Sequence, residues 1–166
     1  MFRKGRGKEA KLAYMGHVLM ENRNGLVADF VLTEANGTAE RDAGFAMAKR
    51  TEKRRRRRHR MTLGADKNYD TRAFVRQCRD AQITPHVAQF QHARRSSAID
   101  RRTTRYPGYA VSQTARMLIE KIFGWMKTIA GFRRSRYRGR RKTAFAGTIV
   151  AATYNLLRIT KLQPVA

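Results

Sequence analysis

The chain has 166 residues, enough for one domain with a proper hydrophobic core. Its 37 Lys+Arg stand against 12 Asp+Glu, a formal net charge of +25, while 42% of residues are hydrophobic. That excess calls for a polyanion, nucleic acid first and anionic membrane second; the apolar content excludes a wholly disordered polycation. The single cysteine, Cys78, excludes an internal disulfide framework and a multi-cysteine zinc site. With no apolar run of spanning length and no signal-peptide pattern, the expected setting is cytoplasmic and nucleoid-associated, with no membrane.

Residues 1–11 read as a basic lead-in without period. Two apolar runs, YMGHVLM and LVADFVL, flank ENRNG, so residues 12–32 are expected to form a β-hairpin closed by a tight turn at Asn24-Gly25. A helix follows, capped by Thr38, with Glu40 and Asp42 near its start and Lys49 and Arg50 near its end. The basic run Arg54, Arg55, Arg56, Arg57, Arg58 then separates it from a short strand, Met61–Ala65, that ends at Asp66. That run reads either as a stripe for DNA phosphates or as a solvated loop.

A helix after Asp70-Thr71 carries Phe74, Val75 and Cys78, the cysteine on its apolar side. Residues 83–88 read as a strand that Pro85 pushes toward a sheet edge. A basic loop is expected over 89–111, then one helix over 112–130, a basic loop over 131–142, and a closing helix to Ile159. The closing helix should turn Phe145, Ile149, Ala152 and Leu156 toward a core. Strand–helix alternation after a hairpin implies an α/β fold. The four histidines show no metal-ligand spacing and read as structural or surface residues.

On a wheel of about 100° per residue, Gln113, Arg116, Glu120 and Lys127 share one stripe of an unbroken helix over 112–130. Ala115, Leu118, Ile119, Ile122, Met126 and Ile129 take the other side, with Trp125 beside them. A Glu on such a stripe reads either as a surface salt-bridge partner or as a metal-binding acid. Asp66, just past a strand end, reads either as a cap or as a second such acid, and Asp70 fits a cap equally well. Two-metal phosphodiester chemistry requires carboxylates converging on ions about 3.5–4 Å apart. The segment 131–142 interleaves Arg133, Arg134, Arg136 and Arg138 with Phe132 and Tyr137, which suit stacking on unpaired bases; Phe132 fits core capping equally well.

The string from Arg116 through Glu120 to Lys127 resembles the Tyr-x2-Arg-x3-Glu-x6-Lys signature of DDE-class transposases from bacterial insertion sequences. TLGADKNYDT resembles that family's block carrying its second catalytic aspartate, and the hairpin and the 131–142 segment are also similar. The resemblance runs from about residue 3 to residue 160. It implies an RNase H-like mixed sheet flanked by helices, lacking the first strand, as one partial catalytic domain over 1–166. It implies Asp66 and Glu120 as catalytic and metal-binding acids for Mg²⁺ or Mn²⁺, with Arg116 and Lys127 on DNA phosphate or steadying the carboxylate. Gln113 stands where the family has Tyr, and Asn68 where it has Gly. The family's first aspartate precedes the hairpin and has no counterpart here, so the two-ion site is expected only if that acid is supplied. The implied partners are element-end and target DNA, with a homo-oligomer or a complementing N-terminal half. The implied function is transposition by metal-dependent hydrolysis and strand transfer, inactive in this chain alone; a non-catalytic DNA-binding relic or inhibitor is the alternative.

Overall fold

The computed structural model describes residues 7, 9, 13–55, 59–91 and 96–162. The chain divides into two compact units, one of residues 1–47 with 119–166 and one of residues 48–118. A 16-residue helix, α1 (Ala39–Arg54), runs across the first division and buries Ala39, Ala43, Met47 and Ala48 along one stripe. At its start the Asn36 side chain accepts from the amides of Thr38 and Ala39, at 2.9 and 2.6 Å. The helix continues four residues past Arg50, and Arg55 hydrogen-bonds back to Thr51 and Glu52. Arg54, the first residue of the expected basic run, is therefore helical.

The first unit is built on a hairpin, β1 (Tyr14–Met20) with β2 (Val27–Glu34), antiparallel and in register from Tyr14↔Glu34 to Leu19↔Asp29. The tight Asn24-Gly25 turn is not what closes it. The register slips between Leu19 and Met20, six residues intervene, and Gly25 alone among them has positive φ, +70°. The Glu21 carboxylate takes the amides of Arg23 and Asn24, and Glu21 N donates to Leu26 O at 2.8 Å. Those bonds stabilise a wider loop than a primed two-residue turn.

Helix α6 (Arg140–Thr160) packs on β2, but by a different face from the one expected. Thr143, Gly147 and Ala151 are buried, while Ala152 is exposed, as are Phe145, Ile149 and Leu156, at 69%, 51% and 66%. Apolar residues surround most of this helix, so periodicity does not single out a face. The fit to the hairpin does. A Cβ at position 147 would lie 2.3 Å from Phe30 Cε1 and 3.2 Å from Phe132 Cζ, so only glycine lets the two aromatic rings seat. Further along, Asn155 Oδ1 accepts from Val27 N at 2.7 Å and Asn155 Nδ2 donates to Val27 O at 2.9 Å. Helix α5 (Leu118–Thr128) buries Ile122 and Met126 and sets Trp125 edge-on to Tyr154, ring centroids 5.5 Å apart. Ile129, expected on the apolar side, lies beyond the helix end and is exposed.

The second unit is a parallel pair, β3 (Met61–Ala65) and β4 (Ile83–Val87), joined through α2 (Arg72–Asp80). Thr71 caps α2 by accepting from Phe74 N at 3.2 Å, and Phe74, Val75 and Cys78 are its buried residues. Burial pushes the Cys78 thiol up to about 12, as fits an unreactive core cysteine. Among the described residues there are two sheets of two strands each, β1 with β2 antiparallel and β3 with β4 parallel, a mixed α/β build consistent with the expected RNase H-like class.

The expected loop over 89–111 contains two helices, α3 (Arg101–Thr104) and the start of α4 (Pro107–Ala115). Asp100 caps the first by accepting from Arg102 N, and Pro107 opens the second, where its missing N–H costs nothing. The expected single helix over 112–130 is α4 and α5, separated at Arg116 and Met117 by a tighter turn, Met117 N to Thr114 O at 3.3 Å. Ala115, Leu118, Ile119, Ile122 and Met126 keep helical spacing in the sequence across the interruption, so the periodic signal shows no break there. Among the described residues no helix is long and apolar enough to cross a membrane.

Two outcomes follow for stability. Alanine for glycine normally favours a helix by up to about 1 kcal/mol. Gly124→Ala, with nothing within 4 Å of the added Cβ, should raise the urea midpoint, whereas Gly147→Ala should lower it, overpacking costing about 1–3 kcal/mol of stability. Burial holds the imidazoles of His17 and His86 below their ordinary 6.5. The unfolded chain then binds more protons below that value, so the contribution is present above pH 6.5 and shrinks as pH falls through it. Urea midpoints across pH 7.5 to 5.5 should decline, and less so in His86→Gln.

Candidate functional site

The second unit places Asp66 at the carboxyl end of β3, where the backbone turns into a short 3-10 segment, Lys67–Tyr69. Its side chain caps that segment, Oδ1 accepting from Lys67 N at 2.6 Å, and remains half exposed. The same oxygen lies 3.5 Å from Arg116 Nη1, although fifty residues separate the two in sequence. Asp66 is thus both a local cap and one partner of a long-range ion pair. Arg116 Nε is buried and has no hydrogen-bond partner among the described residues.

Three features bring Arg116 there. Gly64 allows α4 close to β3: a Cβ on it would meet Ser112 O at 3.4 Å and Arg116 Cβ at 3.8 Å. His86, the register partner of Gly64, shares a buried hydrogen bond between Nδ1 and Ser112 Oγ, 2.7 Å. Gln113 Nε2 donates to His86 O at 2.8 Å, and Tyr109 OH to Val87 O at 3.0 Å. Gln113, a departure from the family pattern, is therefore engaged in seating α4 on the end of β4. Of these residues, Gly64 left a signal in sequence, since glycine inside a strand marks a close backbone approach. The others form a network visible only when α4 lies on the sheet.

Asp70 is not the helix cap, a role taken by Thr71. It is 1% exposed and accepts from Phe90 N at 2.7 Å, Ser97 Oγ at 2.6 Å and Ala98 N at 2.8 Å. Nothing in its spacing foretold that it would tie down a segment twenty to twenty-eight residues away.

The first unit carries Glu120 and Lys127, both exposed on α5. The two-residue interruption takes Arg116 off this helix, so the four-residue stripe reduces on α5 to Glu120 and Lys127. Lys127 Nζ lies 5.9 Å over the Phe123 ring. In the segment before α6, Arg133, Arg134, Arg136 and Arg138 are all exposed, between left-handed Gly131 and Gly139. Ser135 Oγ, bonded to Thr143 Oγ1 at 2.8 Å and to Tyr137 O at 2.8 Å, gives that loop a defined path. Tyr137 is exposed, while Phe132 packs toward α6, in keeping with the core-capping alternative. Arg54 is exposed at the end of α1, and Arg55 pairs with Glu52 at 3.2 Å. Arg56, Arg57, Arg58 and His92 lie outside the described residues.

Among the described residues, no group of three or more His, Cys, Asp or Glu is placed to hold a metal ion. Asp66, with an arginine against its carboxylate, does not by itself fit a two-ion centre.

Searches of curated proteins and of solved structures found no match. A family model described as the transposase DDE domain matches residues 2–156, nearly the whole chain. Its mixed α/β build, with an aspartate closing a strand, agrees with that match. The chain belongs to the transposase DDE domain family, the DDE class of insertion-sequence transposases.

Proposed function

We propose that this chain takes part in transposition as a DNA-gripping, carboxylate-bearing component, acting on phosphodiesters at insertion-sequence ends. Asp66 and Glu120 are the acids proposed for the reaction; Arg116 and Lys127 are proposed to hold phosphate or steady the carboxylates. The observation that supports this best is the Asp66–Arg116 pair at a strand end, an acid with an adjacent guanidinium suited to phosphate. Transposases bind DNA, and the exposed Arg54, Arg133, Arg134, Arg136 and Arg138, with Arg55, Arg56, Arg57 and Arg58, are proposed to hold its backbone. Divalent Mg²⁺ or Mn²⁺ is the metal the family implies. Because the described acids do not complete a centre for it, the proposal is that another polypeptide, a complementing half or a second copy, supplies the missing carboxylate. The same observation favours a second reading, a DNA-binding relic or inhibitor that never cuts.

Supercoiled plasmid incubated with the purified chain in Mg²⁺ or Mn²⁺ should remain uncut. Nicking that Asp66→Asn and Glu120→Gln both abolish would overturn the expected inactivity and the relic reading together. Duplex binding should weaken steeply with salt and show little sequence preference. Replacing Arg133, Arg134, Arg136 and Arg138 by Gln should flatten the slope of log K against log[salt] by about 0.9 for each phosphate no longer neutralised. An unchanged slope in a titration by fluorescence anisotropy would remove that segment from the interface.

A further inference from the structure

The exposed side of α2 has no part in the Asp66–Arg116 pairing, yet it carries Arg72, Arg76 and Arg79 at spacings of four and three residues, on one face. Opposite them runs the segment 97–102, and between the two lies a cleft of about 400 Å³ that Arg72, Arg76, Arg79 and Arg102 line together with Asp80 and Asp100. The far wall is fixed rather than loose. Buried Asp70 holds it through Ser97 Oγ and Ala98 N, and Asp100 ties it to α2 through Arg79 Nη2 at 3.1 Å.

The charges in the cleft do not cancel. Asp100 is shared by Arg79 and by Arg102, the latter at 2.6 Å. Asp80 reaches Arg76 at 3.8 Å with both side chains largely in solvent, where water screens the pairing. Arg72 has no ion pair among the described residues. Four guanidinium groups thus face two carboxylates, and two of the four are already held in place. The two held groups, Arg79 and Arg102, keep the acid occupied, which leaves Arg72 and Arg76 as forked donors for the oxygens of a phosphodiester, with which a guanidinium forms charge-assisted bonds.

We propose that this cleft is a second DNA-backbone site, in which Arg72 and Arg76 grip phosphates of a duplex while Arg79 and Arg102 shape the wall. The proposal rests on the DNA-binding reading above and adds a surface that the basic runs of the sequence do not include. It requires no base recognition, so it predicts grip without sequence preference.

The test is anisotropy with a labelled duplex of arbitrary sequence, titrated over a potassium chloride series with the full chain. Arg72→Gln with Arg76→Gln should reduce the slope of log K against log[salt] by about 2, two phosphates at about 0.9 each. Both side chains are exposed, and an unchanged circular-dichroism melt will verify that the fold persists. A charge-matched control, Lys53→Gln with Lys161→Gln, should leave the slope as in the parent. If the control falls as far as the cleft variant, the effect is bulk charge and the site is rejected. If the parent binds and the cleft variant keeps its slope, the cleft alone is rejected. If the parent does not bind the duplex, the DNA-binding reading falls and the cleft with it.

Discussion

The seating of α4 on the parallel pair β3–β4 is the constraint on which the candidate chemistry depends. Asp66 sits where β3 ends, and an acid there is only a cap unless another element reaches it. Arg116 reaches it because Gly64 leaves room for the helix and because His86, Ser112 and Gln113 fasten that helix to β4. The fastening is by hydrogen bonds in a largely buried setting, where an unmade partner costs about 1–3 kcal/mol. This makes the position of α4 discrete rather than graded. The ion pair itself contributes little to stability, since both partners are partly in water. Its significance is geometric: it fixes which cation stands beside the acid.

The first unit is held together by a different kind of fit. A two-stranded hairpin is marginal by itself, and here α6 covers it with small residues rather than with its larger apolar ones. Gly147 against Phe30 sets the approach, and the paired hydrogen bonds between Asn155 and Val27 fix the register of helix on strand. Steric room and polar matching chose the face, at the expense of leaving Phe145, Ile149 and Leu156 outward.

Charge acts on a third level. With a formal +25, the chain must manage self-repulsion, and it does so by spreading arginines over exposed loops and helix faces. Within the cleft beside α2 the acids stand among arginines. Asp100 takes Arg102 and Arg79, and its carboxyl is held below the ordinary range first by the Arg102 hydrogen bond and then by the charge of Arg79. The result is a surface of oriented guanidinium groups suited to a polyanion whose sequence need not be read.

Much of this was legible in the residues. Short apolar runs marked the strands, with a turn-rich segment between the first two; a Thr ahead of apolar Phe74, Val75 and Cys78 marked α2; the spacing from Arg116 to Lys127 and the block around Asp66 carried the family. These are local properties, written in neighbouring side chains. Three matters lay beyond them. The break after α4 left the apolar period intact and so left no trace in it. The inward face of α6 was settled by an aromatic ring more than a hundred residues away. The burial of Asp70 and the assembly of the arginine cleft came from segments that meet only once α2 and the 97–102 stretch are packed. Periodicity records what a helix buries, not what it is buried against, and that second half belongs to tertiary structure.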